Sequence, residues 1–222
     1  MKLTDILIVD DHPMTVDSYV SLLQLDATFE NCTFTKAYSC GEAFQKIKFI
    51  KASNKRIQFA ILDINLPPFE DTHIFNGIDL ARFIRKEFPM CKLLFLTMRT
   101  EPVLVDQVIK MVKPEGFISK NDINYETFSL FCNEIMKGFF VKSNAIQHAM
   151  GTLLKENIHW DSHDSQIVLL LSEGVKTIEL QEYIPLSMSA IEKRKASIKL
   201  QLLKGKGSDK ELVSTAKSLG LI

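Results

Sequence analysis

Hydrophobic positions follow two different rhythms in the first 140 residues. Apolar, strand-like runs occur at residues 5–9, 33–38, 57–62, 92–96 and 116–118. Between them lie amphipathic stretches at 14–25, 41–50, 78–88, 102–112 and 125–137. In the third of these, Ile78, Leu80, Ala81, Phe83 and Ile84 recur at helical spacing, with Arg82, Arg85 and Lys86 on the other face. Five strands alternating with five helices predict βαβ units, right-handed crossovers and a parallel sheet covered on both sides. From residue 161 the character changes to short helices without strands. An apolar helix core at 167–171 ends at Gly174, and 176–183 forms a second short helix. Residues 184–187 make a turn at Pro185, followed by helices at 189–203 and 209–219. Residues 139–157 connect the two parts, with a helix from about Asn144.

The polar residues directly after the strand-like runs add chemistry to this pattern. Asp10 and Asp11 follow 6–9, Asp63 follows 59–62, Thr97 follows 93–96, and Lys120 follows 116–119. Ligands bind at the strand ends of an open parallel sheet, so the spacing gathers three carboxylates, a hydroxyl and an ammonium in one pocket. A single Asp after a strand is often just a helix cap; five such residues in order carry more weight.

Their contexts are Ile-Val-Asp-Asp-His-Pro, Leu-Asp-Ile-Asn-Leu-Pro, Leu-Thr-Met and Gly-Phe-Ile-Ser-Lys. The set resembles the receiver domain of two-component response regulators. The resemblance implies a flavodoxin-like, doubly wound, five-stranded parallel sheet over residues 1–138, with Asp63 as phosphoacceptor. It implies Mg2+ (or Mn2+) held by Asp11, Asp63 and the backbone carbonyl of Asn65, with Asp10 holding a metal-bound water. Lys120 and Thr97 would meet the phosphoryl oxygens, and Phe117 occupies the family's aromatic switch position. The plainer reading of Phe117 is a core aromatic. Arg99, two residues past Thr97, lies where it influences access of water to an aspartyl phosphate. The segment 67–77, with two prolines, Phe69, His73 and Phe75, is longer than the usual strand-to-helix loop. It reads as a surface-packed insertion or, less favoured, as a partner-recognition element.

Residues 158–222, after the 139–157 connector, resemble the small all-α helix-turn-helix domain of NarL/LuxR-type regulators. Glu173, Gly174, Glu179, Leu180, Ser187, Ile191, Ile198 and Leu202 fall on its framework, and Ser-Leu-Gly-Leu-Ile matches its last helix. Where that family reads Thr-Val-Lys at the start of the recognition helix, this chain has Ala190, Ile191 and Glu192. Lys193, Arg194, Lys195 and Lys199, together with Ser189 and Glu192, are the expected DNA-facing residues. A solvated basic face is the bland alternative. A helix-turn-helix that keeps its fold but binds a protein instead of DNA is the competing one.

Composition narrows the rest. The chain has 222 residues, enough for two domains, and 27 basic against 27 acidic residues, so any nucleic-acid surface has to be local. The four cysteines lack metal or disulfide spacing and read as reduced thiols. No stretch approaches a membrane span, and the N-terminus lacks a signal core, so a cytoplasmic location is expected. No nucleophile–base pair appears, so the chain is not expected to be an enzyme beyond its own phosphorylation and dephosphorylation. The implied partners are a sensor histidine kinase, DNA, and a second copy of the chain after phosphorylation.

Overall fold

A computed structural model describes residues 5–156, 160–219, 221 and 222. The expected connector end at 157 and domain start at 158 lie outside the described residues, as does Gly220 of the final motif. The chain divides into two compact units, Met1–Arg99 with Val108–Ile146, and Thr100–Gln107 with Gln147–Ile222.

The first unit carries a parallel sheet. From Asp5 to Lys142 the elements run β1 (Asp5–Val9), α1 (Pro13–Gln24), β2 (Thr33–Ala37), α2 (Cys40–Ala52), β3 (Phe59–Leu62), α3 (Gly77–Glu87), β4 (Lys92–Thr97), α4 (Pro102–Val112), β5 (Gly116–Ser119), α5 (Tyr125–Lys137) and β6 (Val141–Lys142). The strand order is β2-β1-β3-β4-β5-β6 and every pairing is parallel. The five expected strands are present. The structure adds β6, in which Val141 and Lys142 pair with Gly116 and Phe117. Two residues are too few to show a period, so the alternation of polar and apolar positions did not reveal this strand.

β1, β3, β4 and β5 are buried almost throughout because helices cover both faces of the sheet. Ile6, Ile8, Ile61, Leu94, Leu96 and Ile118 pack on one side with Val16 and Leu23 of α1 and Phe128, Cys132 and Ile135 of α5. Leu7, Val9, Leu62, Phe95 and Phe117, which alternate with them, are also buried. Side chains close the helix ends. Asn76 caps α3 by accepting from Ile78 N and Asp79 N, and Asn124 caps α5 in a box with Thr127. Gly138 ends α5 at φ 101°, a conformation that glycine adopts without steric cost.

The other elements are α6 (Asn144–Glu156), α7 (Ser162–Ser172), a 3-10 helix (Thr177–Glu182), α8 (Met188–Leu203) and α9 (Asp209–Ser218). Trp160, Ile167, Val168, Leu180, Ile184, Ile191, Ile198, Leu212, Ala216 and Leu221 form one core. The short second helix is 3-10 rather than α, a form suited to brief runs between other elements. Ser187 caps α8 through Ala190 N. Among the described residues no helix is long and apolar enough to cross a membrane.

Candidate functional site

Parallel pairing decides where the acidic residues go. Val9 is in register with Leu62, Leu62 with Phe95, and Thr97 with Ser119, so the residues after these strands emerge along one edge. Lys120 Nζ lies 2.7 Å from Asp10 Oδ2 and 2.6 Å from Asp63 Oδ2. Both carboxylates are nearly buried, at 2% and 6% exposure. One ammonium thus bridges two carboxylates that would otherwise repel each other. Burial of Lys120 works against its charge, but the hydrogen bonds and charges of Asp10 and Asp63 outweigh it, so its pKa is raised. Burial also pushes the Tyr19 hydroxyl up, and the negative charges of Asp10 and Asp63 add to that shift.

The remaining oxygens are held by backbone. Asp63 Oδ1 accepts from Ile64 N at 2.6 Å and Asn65 N at 3.3 Å, and Asp10 Oδ1 accepts from His12 N at 3.1 Å. Thr97 is fully buried, and its Oγ1 accepts from Arg99 N at 3.2 Å. Phe117 is fully buried, its ring 5.7 Å from that of Phe95.

Asp10, Asp11 and His12 bring their ligand atoms within 4.8 Å of one another. Asp11 is exposed, and His12 Nδ1 is 2.8 Å from its Oδ1. Two carboxylates at the strand end are hard oxygen donors, which suit Mg2+ or Mn2+. The donor set therefore fits a divalent cation.

Three residues that sequence reasoning missed shape this pocket. A Cβ on Gly77 would stand 1.8 Å from the Asp63 carbonyl oxygen, so only glycine lets α3 start this close to β3. Gly77 N also donates to Ile64 O at 2.9 Å. The signal was the Asn-Gly pair at 76–77 just before an amphipathic run. Ser143 Oγ accepts from Ser119 N at 3.0 Å, and both serines are buried, Ser119 directly before Lys120 in the chain. No sequence signal links those two positions, because β6 was not visible.

The 67–77 segment is compact. Phe69 and Ile74 form an antiparallel bridge around the 3-10 turn Glu70–Thr72, and His73 takes φ 55°. Pro67 O accepts from Cys40 N, and the Phe69 ring lies 5.6 Å from Phe44. The insertion packs onto the first turns of α2. The cysteines are free thiols. Burial pushes Cys40 up to about 11 and Cys91 up to about 12, which keeps both protonated and unreactive near neutral pH.

In the helical unit, the expected DNA-facing residues separate into two groups. Ser189, Glu192 and Lys193 are exposed on α8. Lys195 is buried at 6% exposure, on the same side as Ile191 and Ile198, with Nζ 3.0 Å from Asp209 Oδ2. Lys199 Nζ lies 2.8 Å from Asp209 Oδ1. Arg194 Nη1 is 2.8 Å from both Asp161 Oδ2 and Asp164 Oδ1. These ion pairs raise the Arg194 pKa. At Asp161 and Asp209 burial is the largest influence and opposes ionisation, yet their hydrogen bonds hold both below the ordinary carboxylate range. Lys195 was among the residues expected to face DNA. Core packing instead turns Lys195 inward.

The family model for the response regulator receiver domain matches residues 6–125. The chain belongs to the response regulator receiver family. Solved structures extend the likeness in fold beyond that domain. A complex of the two-component response regulator RcsB with DNA is 18% identical, covers 98% of this chain and 99% of that one, and has a TM-score of 0.62. RcsB from Salmonella enterica serovar Typhimurium, bound to a promoter in the presence of a phosphomimetic, is 18% identical over 98% of this chain and 100% of that one, at TM-score 0.65. The response regulator ChrA of a heme-sensing two-component system is 16% identical, covers 100% of both chains, and has a TM-score of 0.51. No curated protein matches the sequence.

Proposed function

We propose that the chain is the response regulator of a two-component phosphorelay, with Asp63 as phosphoacceptor and the helix-turn-helix as a DNA-binding output. The observation that carries this reading is Lys120 bridging Asp10 and Asp63 where the parallel strands end. An Asp63 carboxylate oxygen attacks phosphorus, the bond to the donor breaks, and the donor atom leaves with the electron pair. Asp63 becomes an acyl phosphate. Lys120 then exchanges its ion pair with Asp63 for one with a phosphoryl oxygen, a change suited to a compact, mobile ammonium. The Thr97 hydroxyl turns from Arg99 N toward a second phosphoryl oxygen, and the Phe117 ring follows. This is a two-state shift biased by interactions that exist only with the phosphoryl group. Asp11, Asp63 and the Asn65 carbonyl would hold Mg2+ or Mn2+, with Asp10 behind a bound water. The cation offsets repulsion between carboxylate and phosphoryl oxygens.

The donor is a sensor histidine kinase or a small phosphodonor, and the setting is the cytoplasm. The phosphorylated chain forms a homodimer that places two modules on paired half-sites. The likeness in fold to RcsB, whose solved structures include DNA complexes, supports this output. Ser189, Glu192 and Lys193 form its reading face, with Glu192 positioned to accept from a cytosine amine. A second reading, in which the module binds a protein, is favoured by the pairing of Arg194, Lys195 and Lys199 inside the unit. Labelling with a phosphodonor tests the first step: Asp63→Asn should abolish incorporation while the protein stays folded, and labelling at the unmodified level would refute the assignment. Salt-dependent anisotropy on DNA separates the two outputs.

A further inference from the structure

α8 spends half of its nearby positive charge inside its own unit. Six basic residues lie between 187 and 207. Arg194, Lys195 and Lys199 are all paired with carboxylates: Asp161 and Asp164 before and within α7, and Asp209 at the first position of α9. Lys193, Lys204 and Lys206 are exposed. The outward stripe of α8 is Ser189, Glu192, Lys193, Ala196 and Leu200, so the reading face is close to electrically neutral.

Resting on the proposal that this module binds DNA, we infer that Asp209 is a specificity-determining residue. By engaging Lys199 within the module, alongside the buried Lys195, it withholds a cation from the DNA backbone and suppresses sequence-independent binding. Phosphate contacts supply affinity that carries no sequence information, whereas contacts to base edges discriminate. A phosphate approaching Lys199 meets an ammonium already 2.8 Å from the Asp209 carboxylate. Binding there requires breaking the ion pair and brings the phosphate against the charge of Asp209. Lys195 is held more firmly, with Thr177 Oγ1 as a further acceptor. Asp209 thus already occupies the place beside Lys199 that a phosphate would need in order to pair with it.

Asp209→Asn removes the anion while keeping a side chain of similar shape. The experiment measures anisotropy of the full chain, treated with beryllofluoride and Mg2+, on a labelled random-sequence duplex over a salt series. Each further phosphate neutralised steepens the log–log salt dependence by about 0.9. The variant is expected to steepen it by about 0.9 and to bind random DNA roughly tenfold more tightly at low salt. Adding Lys199→Gln should return the slope most of the way. If loss of its partner unfolds the Lys195 region, the pair Lys195→Met with Asp209→Asn replaces the buried ion pair by packing. It still releases Lys199, so it should steepen the slope by about 0.9. An unchanged slope in folded Asp209→Asn protein overturns the inference, as does a steeper slope that Lys199→Gln leaves in place. If neither the native chain nor any variant binds DNA at the lowest salt, the DNA reading itself falls and takes the inference with it.

Discussion

Both the sheet edge and α8 gather several charged side chains within a short distance, yet the two regions use them in opposite ways. At the sheet edge, residues distant in sequence converge, and Lys120 bridges Asp10 and Asp63 with both carboxylates almost out of water. On α8, residues adjacent in sequence diverge: Lys193 points outward, while Lys195 turns into the core against Asp209. Parallel strands end together whatever their side chains are, so a polar residue after each strand is delivered to one place. A helix advances about 100° per residue, so a run of like residues is spread around its circumference and burial sorts it. A charge cluster in sequence is therefore weaker evidence for a site than a charge at each strand exit.

The sharpest way to break this comparison is Lys120→Met. With the shared cation gone, phosphoryl uptake from a small donor should fall about 100-fold or more, as for loss of an oriented charge donor. A variant phosphorylating at the native rate would show that the bridge is merely structural. Lys195→Ala tests the opposite region, where the expected effect is on folding. Breaking a buried ion pair costs about 3–5 kcal/mol, and because Asp209 is partly exposed and keeps Lys199, the lower end applies. Denaturant unfolding reads this directly, and a loss below about 1 kcal/mol would place Lys195 among ordinary surface cations.

Gly77→Ala forces either α3 or the Asp63 backbone to move, because the added carbon would overlap a carbonyl oxygen. Overpacking of this kind costs about 1–3 kcal/mol. The phosphorylation rate should fall with it, and full stability in the variant would argue that the α3 start can shift freely. pH offers a gentler probe. The Lys120 pKa is raised above its ordinary 10.5, so its stabilising contribution is complete below that value and is lost as pH rises through the higher folded value. Above about pH 10.5 the native chain should lose more stability than Lys120→Met, and parallel curves would remove Lys120 as the cause. Smallest of all is Arg194→Ala. Arg194 and Asp161 are partly exposed, and the buried Asp164 keeps the Asp161 N–H as a donor, so the melting curve should reflect about 1 kcal/mol.

Much of the receiver unit was legible because each element repeats its period long enough to be read. The residue ranges of β1, α4 and α5 match those expected from the apolar pattern alone, and other boundaries moved by only one or two residues. Asp10, Asp63 and Lys120 were legible for the same reason, since each follows a run that can only be a strand. The misses share a cause as well. β6 has two residues, Gly77 matters through what its missing side chain permits, and Ser143 reaches Ser119 across a pairing with no local signature. In the helical unit, Ser187, Gly174 and the apolar framework located the helices, and the 3-10 form of the second one left no trace in its composition.

The sequence by itself determined the alternating architecture, the edge at which the acidic residues gather, and the positions of both modules, because hydrophobic period and turn chemistry act over a few neighbouring residues. Only the tertiary structure decided that Lys120 is shared by two carboxylates, that the 67–77 insertion lies on α2, and that Asp209 holds two cations of α8. Those outcomes depend on which distant side chains arrive within a few ångströms of each other. Charge and burial settle that only after the backbone has brought them there.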